Sequence, residues 1–354
     1  MEFEIKVEKL KESRISQFDP KNIGFGKLFT DHMFVCDYEG GEWKDFRIVP
    51  YGPFQLSPAT SALHYGQAIF EGMKAFASIK NEHDICLFRP LDNAKRLNIS
   101  AERMAMPILP ESIFMQGLHA LLDLDRQWIP REEGGALYMR PYMFATDDFI
   151  GVKPSERYTF AIFCCPVGPY YNKALRVKVE EEYSRAAPGG VGFTKCAGNY
   201  GASLYPTAQA QKEGYDQILW TDPIEHKWIE ETGTTNFFAV INDTIVTPAL
   251  TQTLLAGITR NSVIKSLKHL GYKVEERPLS IDEIVTAHQN HEIKELFITG
   301  TAATLMNLDG FAHRGTYHEV LSNGDNQISK TVKQFLDDLK VQRIDDPFGW
   351  LSCI

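Results

Sequence analysis

Cysteine is scarce: the chain has six in 354 residues, and no two stand in a Cys-x-x-Cys pair. That count and spacing argue against a zinc site or a disulfide framework, and read as small thiols kept reduced inside a cell. His288 and His291 form a His-x-x-His with no His-Glu-x-x-His pattern and no cysteine partner, so no metal is expected. Basic tracts with interleaved aromatics are missing and the formal net charge is −9, which argues against nucleic acid as a partner. The longest central apolar stretch, 158–167, is too short to cross a bilayer. The first residues alternate charges where a signal peptide would be cationic and then apolar. A cytoplasmic protein without membrane contact is the expectation. Neither GxxxxGK[ST] nor GxGxxG occurs, so neither nucleotide-binding motif is present.

What remains is an ordinary globular composition, 44% hydrophobic and 23% charged. The length allows two domains with substantial cores. Ser57-Pro58 followed by apolar residues predicts a helix over 57–76. Two more are predicted over 90–106 and 110–126, the latter with Ile113, Phe114, Leu118, Leu121 and Leu122 on one face. Short β-branched or aromatic runs predict strands over 157–165 and 174–180. Val167-Gly-Pro-Tyr-Tyr-Asn172 reads as a linker. Beyond it come a strand over 216–221, a hairpin over 236–247 turning at Asn242-Asp243, and a helix over 258–270 closed by Gly271. A strand over 295–299 and a helix over 329–341 complete the pattern. Hairpins mixed with helices indicate an α/β (mixed α+β) fold, not a doubly wound one. The division expected is 1–167 as a smaller N-terminal domain, 168–179 as linker and 180–354 as a larger C-terminal domain.

Four segments are chemically unusual. Gly189-Gly-Val-Gly-Phe-Thr-Lys195-Cys-Ala-Gly-Asn-Tyr200-Gly201 encloses a lysine in small residues. Small neighbours let a bulky group approach the amine, and burial favours the neutral form needed for imine chemistry. A glycine-rich loop with a solvated lysine is the plain alternative. Glu230-Glu231-Thr-Gly-Thr-Thr-Asn236 leads two acids into an apolar strand; it is either a solvated turn or a carboxylate facing a pyridine nitrogen. Leu255-Ala-Gly257-Ile258-Thr259-Arg260 opens a helix where an anion could sit, or is an ordinary helix start. Thr299-Gly-Thr301-Ala302-Ala303 ends a strand, as a second anion cradle or a simple turn. An imine-forming lysine, a ring-nitrogen carboxylate and two anion cradles together match the needs of pyridoxal 5′-phosphate.

In order and spacing, Glu231-x-Gly-x-x-Asn236-Phe-Phe, Ile245-Val-Thr247 and Leu255-Ala-Gly-Ile-Thr-Arg260 resemble the class IV aminotransferase signature. Phe25-Gly-Lys-Leu-Phe-Thr-Asp-His-Met33, His64-Tyr65, Phe70-Glu-Gly-Met-Lys-Ala-Phe76, Leu137-Tyr-Met-Arg-Pro141 and Gly198-Asn-Tyr200-Gly201 resemble its branched-chain subgroup. They match its D-amino-acid aminotransferase and aminodeoxychorismate lyase relatives less well; those activities, or a catalytically silent binding protein, are the rival readings. The resemblance implies the fold-type IV architecture, two domains with pyridoxal 5′-phosphate in the interdomain cleft. It also implies ping-pong transamination of branched-chain amino acids with 2-oxoglutarate, and a homodimer.

Position by position, the resemblance makes Lys195 the Schiff-base lysine and proton shuttle. Glu231 pairs with the pyridine nitrogen and Tyr200 with the ring oxygen. Arg96, in Phe88-Arg-Pro-x-x-Asn-x-x-Arg96, takes the phosphate, joined by Ile258, Thr259 and Thr301. Thr234 and the backbone of Ala302 hold the substrate carboxylate. Phe25, Tyr65, Phe70 and Tyr138 line the side-chain pocket, Tyr65 and Arg140 accommodate glutamate, and Val152 comes from the partner subunit. Some members carry a Cys-x-x-Cys after Gly-Thr-Ala; Ala303 and Met306 stand there in this chain, so that thiol control is not expected.

Overall fold

The computed structural model describes residues 3–20, 22–168, 173–302, 304–320 and 327–354. The chain divides into two compact units. The first unit comprises Met1–Tyr170, Thr194–Gly198 and Asp338–Ile354; the second comprises Tyr171–Phe193 and Asn199–Asp337. The first thus takes back two pieces that the sequence assigned to the C-terminal half. Part of the expected linker, Pro169 to Asn172, lies outside the described residues; Leu175–Val179, also placed there, is a strand of the second unit.

In chain order the first unit supplies β1 (Lys6–Val7), β2 (His32–Glu39), β3 (Glu42–Pro50), α1 (Ser61–Tyr65), β4 (Ala68–Phe70), β5 (Met73–Ala77), β6 (Ile85–Phe88), α2 (Pro90–Arg103), α3 (Glu111–Leu124), β7 (Ala136–Ala145) and β8 (Tyr158–Val167). The second supplies β9 (Leu175–Val179), α4 (Ala197–Lys212), β10 (Gln217–Thr221), β11 (Ile229–Thr232), β12 (Thr235–Ile241), β13 (Thr244–Thr247), α5 (Ile258–His269), β14 (Lys273–Glu276), α6 (Ile281–Gln289), β15 (Ile293–Gly300), β16 (Thr304–His313), β17 (Thr316–Glu319) and α7 (Gln327–Lys340). The chain then returns to the first unit as β18 (Leu351–Cys353).

The first sheet runs β1-β3-β2-β8-β7-β5-β6-β18, with β4 paired to β7. Its core is aromatic: Phe34, Phe114 and Phe160 are fully buried, and the rings of Phe34 and Phe114 lie 6.3 and 6.0 Å from that of Phe160. The predicted apolar face of α3 is buried throughout. Gly117 sits on that face against the Phe34 ring, where a Cβ would come within 2.6 Å, so the helix packs closer to the sheet than a side chain would allow.

The helix expected over 57–76 is corrected by the structure. Only Ser61–Tyr65 is helical, and the chain leaves it through Gly66 at φ +66°. Beyond that turn Ile69, Met73 and Ala75 go into the sheet core as residues of β4 and β5. Apolar residues at mixed spacing served a strand period there, not a helical one.

In the second unit β11-β10-β9-β16-β15-β12 closes on itself, because β12 also pairs with β11. Phe237, Ala239, Leu296 and Ile298 share one buried cluster. Their neighbours Phe238 and Phe297 stack at 5.0 Å in cross-strand register. Both faces of β12 and β15 are therefore buried, which is why these strands read as continuous apolar runs. Among the described residues, no helix is long and apolar enough to cross a membrane.

The expectation of six unpaired thiols fails at one place. β18 pairs antiparallel with β6 and sets Cys353 opposite Cys86; the two form a disulfide across 267 residues of chain. Local spacing could not reveal it. The other four cysteines, Cys36, Cys164, Cys165 and Cys196, are free and buried.

Candidate active site

In the first unit, residues 194–198 of the lysine segment lie against β4. Cys196 bridges Ile69 of β4, and the Phe70 amide donates to the Lys195 carbonyl at 3.0 Å. The Lys195 amide donates to Ser100 Oγ at 3.0 Å. Thr194 and Cys196 are buried on either side, so the backbone is fixed and the lysine side chain has one direction to take. Its Nζ lies 4.7 Å from the centre of the Phe70 ring, within cation–π range.

Arg140 Cζ lies over the same ring at 4.6 Å, and its Nη2 donates to the Tyr138 hydroxyl at 2.9 Å. Arg140 Nε is buried without a hydrogen-bond partner. The Tyr138 hydroxyl is pushed up from its ordinary range by burial, against the pull of Arg140. Gly72 is required here: a Cβ would overlap the Tyr138 hydroxyl. Phe25 packs edge-on to Tyr138 at 5.1 Å. Arg96, on α2 one turn before Ser100, pairs with Glu71 through two 2.8 Å contacts. Phe25, Phe70, Tyr138, Arg140 and Lys195 thus form one group, with Arg96 tied to the same β4–β5 turn. Tyr65 ends the short α1 helix at 39% exposure, and Val152 stands 91% exposed on a loop; neither stacks on nor hydrogen-bonds to that group.

In the second unit, three of the unusual segments meet. Glu231 lies opposite Asn236, and Asn236 opposite Thr299, so β11, β12 and β15 place them in one row. The Leu255 amide donates to Glu231 Oε2 at 3.0 Å, and Asn236 Nδ2 donates to the Leu255 carbonyl at 3.0 Å. A Cβ on Gly257 would overlap Asn236 Oδ1. This clamp sets the start of α5, where Gly257 caps without a side-chain hydrogen bond and Ile258 and Thr259 are half-buried. Helix starts of this kind attract anions. Thr301 and Ala302 are half-buried in the turn after β15, whereas Ala303 lies outside the described residues. Thr234 is exposed between β11 and β12, and Tyr200 is half-buried in the first turn of α4.

Sequence reasoning missed Glu71, Ser100, Arg185 and Thr253. Arg185 Nε lies 3.2 Å from Glu231 Oε1, and its Nη2 donates to the carbonyls of Gly192 and Thr253. No local pattern marks these residues; Glu71 alone stands inside a quoted motif, where its burial could have been suspected.

Residues 68–309 match the model of the family described as amino-transferase class IV. The chain belongs to the class IV aminotransferases. It is 46% identical to the branched-chain-amino-acid transaminase 1 of Bacillus subtilis strain 168 over 340 residues, 94% of each chain. Its fold is similar to that of the Escherichia coli branched-chain amino acid aminotransferase, with a TM-score of 0.74 at 25% identity, covering 91% of this chain and 98% of that one. The branched-chain amino acid aminotransferase of T.th., solved in complex with N-(5′-phosphopyridoxyl)-L-glutamate, has the same fold at a TM-score of 0.72 and 23% identity, covering 90% and 97%. The cofactor of this aminotransferase is pyridoxal 5′-phosphate. Each unit by itself suits part of that group: the first offers an amine on a fixed backbone and an arginine oriented by a buried acid, and the second a carboxylate held by an arginine and a helix start capped by glycine. Thr299 Oγ1 adds a buried hydroxyl oxygen without a hydrogen-bond partner.

Proposed function

We propose that this aminotransferase reversibly transfers the amino group of L-leucine, L-isoleucine and L-valine to 2-oxoglutarate in two half-reactions, giving branched-chain 2-oxo acids and L-glutamate. The Phe70 ring carries this reading, because it bears the Lys195 amine on one contact and the Arg140 guanidinium on another. The rings of Phe25, Phe70 and Tyr138 suit an aliphatic side chain, with Tyr65 assigned to the same pocket by the family resemblance alone, and Arg140 among them suits the distal carboxylate of glutamate.

When bound, the cofactor supplies an aldehyde that takes up the amino group and a ring that accepts electrons from the substrate Cα. Lys195 would hold the cofactor through its amine and would move the Cα proton, as base and then as acid. Arg96, the first turn of α5 at Ile258 and Thr259, and Thr301 hold the phosphate. Glu231 faces the pyridine nitrogen and Tyr200 the ring oxygen. Thr234 and the Ala302 backbone orient the substrate carboxylate.

The working form is a homodimer, supported by the exposed run Phe149, Ile150 and Val152, with Val152 serving the second copy. A single-chain mass by light scattering would remove that part. The main test is an assay of leucine, isoleucine, valine, aspartate, phenylalanine and D-alanine as donors to 2-oxoglutarate. The three branched donors are expected to dominate; dominance of aspartate or D-alanine overturns the reading.

A further inference from the structure

The buried stripe of α2 is partly polar: Asn93, Arg96 and Ser100 lie on it among Ala94, Leu97 and Ala101. Polar groups inside a protein are kept where they have partners, and those of Ser100 come from two segments. Its hydroxyl donates to the Arg96 carbonyl one turn back at 3.2 Å, a bond that helical serines commonly make. That uses the one hydrogen a hydroxyl has and leaves its lone pairs for a donor. The Lys195 amide fills that place at 3.0 Å, across 95 positions of chain.

The other side of Lys195 leads to the same arginine. The Phe70 amide donates to the Lys195 carbonyl at 3.0 Å. The next residue, Glu71, takes the Arg96 guanidinium in two 2.8 Å contacts. The amide and carbonyl of Lys195 flank its Cα, so two routes run from that atom to Arg96. One passes through Ser100 to the arginine main chain, the other through Phe70 and Glu71 to its side chain. All of these residues belong to the first unit, and Glu71, Arg96 and Ser100 are buried. Turning either peptide of Lys195 breaks this circuit, and an inward-facing group left without its hydrogen bond is costly.

We propose that Ser100 is a positioning residue that fixes the span and direction between Lys195, the attachment point for the cofactor aldehyde, and Arg96, the grip for its phosphate. The inference rests on those two assignments in the function proposed above. A molecule held at both ends gains from its second anchor only when the geometry lets both engage at once. Loss of the Ser100 hydroxyl should therefore penalise a ligand that uses both anchors, and spare one that uses Arg96 without bonding Lys195.

Of the links in the circuit, this hydroxyl is the one removable without altering a charge or the backbone. The test titrates the full-length cofactor-free protein, unaltered and as Ser100→Ala, with pyridoxal 5′-phosphate and with pyridoxine 5′-phosphate. The second molecule has the same ring and phosphate but an alcohol where the first has its aldehyde, so it forms no bond to the lysine. Affinity for pyridoxal 5′-phosphate should fall about fivefold to tenfold in the variant, and that for pyridoxine 5′-phosphate less than about twofold, as the loss of one neutral hydrogen bond at Lys195 implies. Before any ligand is added, amide hydrogen exchange at Lys195 should be faster in the variant. A loss for pyridoxine 5′-phosphate as large as that for pyridoxal 5′-phosphate overturns the proposal, as do unchanged affinities or unchanged exchange at Lys195. If Ser100→Ala does not fold, Ser100→Cys, which puts a weak hydrogen-bonding group in the same place, is read by the same criteria. Unaltered protein that takes up no pyridoxal 5′-phosphate defeats the functional reading as well; uptake with equal losses for the two molecules defeats this inference alone.

Discussion

Arg96 grips Glu71 with both prongs, Nε to Oε1 and Nη2 to Oε2, each at 2.8 Å, and the acid is fully buried. The fork is thus oriented from within the protein before any phosphate arrives. Glu71→Gln leaves the buried guanidinium without its counter-charge and should cost about 3–5 kcal/mol of stability, read by chemical denaturation. Cofactor affinity should fall with it. A denaturation midpoint equal to that of the unaltered protein rejects the idea that Glu71 holds Arg96 in place.

Lys195→Ala should abolish both the visible absorbance of bound cofactor and transamination, while the fold persists. The segment is fixed by its backbone bonds to Phe70 and Ser100, and these survive loss of the side chain. Spectra, circular dichroism and a leucine assay on one preparation check this; retained turnover would remove Lys195 from the chemistry.

Arg140→Ala should raise KM for glutamate and 2-oxoglutarate by at least about tenfold, as expected for losing one charge-assisted hydrogen bond of about 1.5–3 kcal/mol. Leucine should change far less, since its side chain offers Arg140 no charge. Equal losses for all substrates would mean that Arg140 matters by packing on Phe70 and Tyr138.

The Cys86–Cys353 bridge closes a loop of 267 residues, so its loss should destabilise the chain by roughly 2–5 kcal/mol. Thiol titration of the denatured, unreduced protein should find the four cysteines that are free in the structure. Finding six would show that the bridge does not form. Cys353→Ser should lower the thermal midpoint, and a reductant should then have no further effect.

Much of this was legible in the sequence where one local rule decided the structure. Pro90 opens α2 as predicted, and the face of α3 emerges from its 3.6-residue spacing. Asn242 turns the β12–β13 hairpin at φ +53°. The α4 helix went unseen because Gly198, Gly201 and Pro206 lie inside it and little of it is buried. At the candidate site, Lys195 and Glu231 are singled out by motifs that span a few residues. Ser100 meets Lys195 across 95 positions and Glu71 meets Arg96 across 25. Such partners are set by which strands and helices become neighbours, and no window of sequence contains that choice.

The last strand, β18, fills the edge position beside β6. A ribosome delivers it only after the second unit, which precedes it in the chain, has been made, so until then the first unit has its β6 edge open. Exposed strand edges invite pairing with other chains. Arrival of β18 covers the β6 edge and leaves in its place a border only three residues long, a short edge that offers little for another chain to pair with.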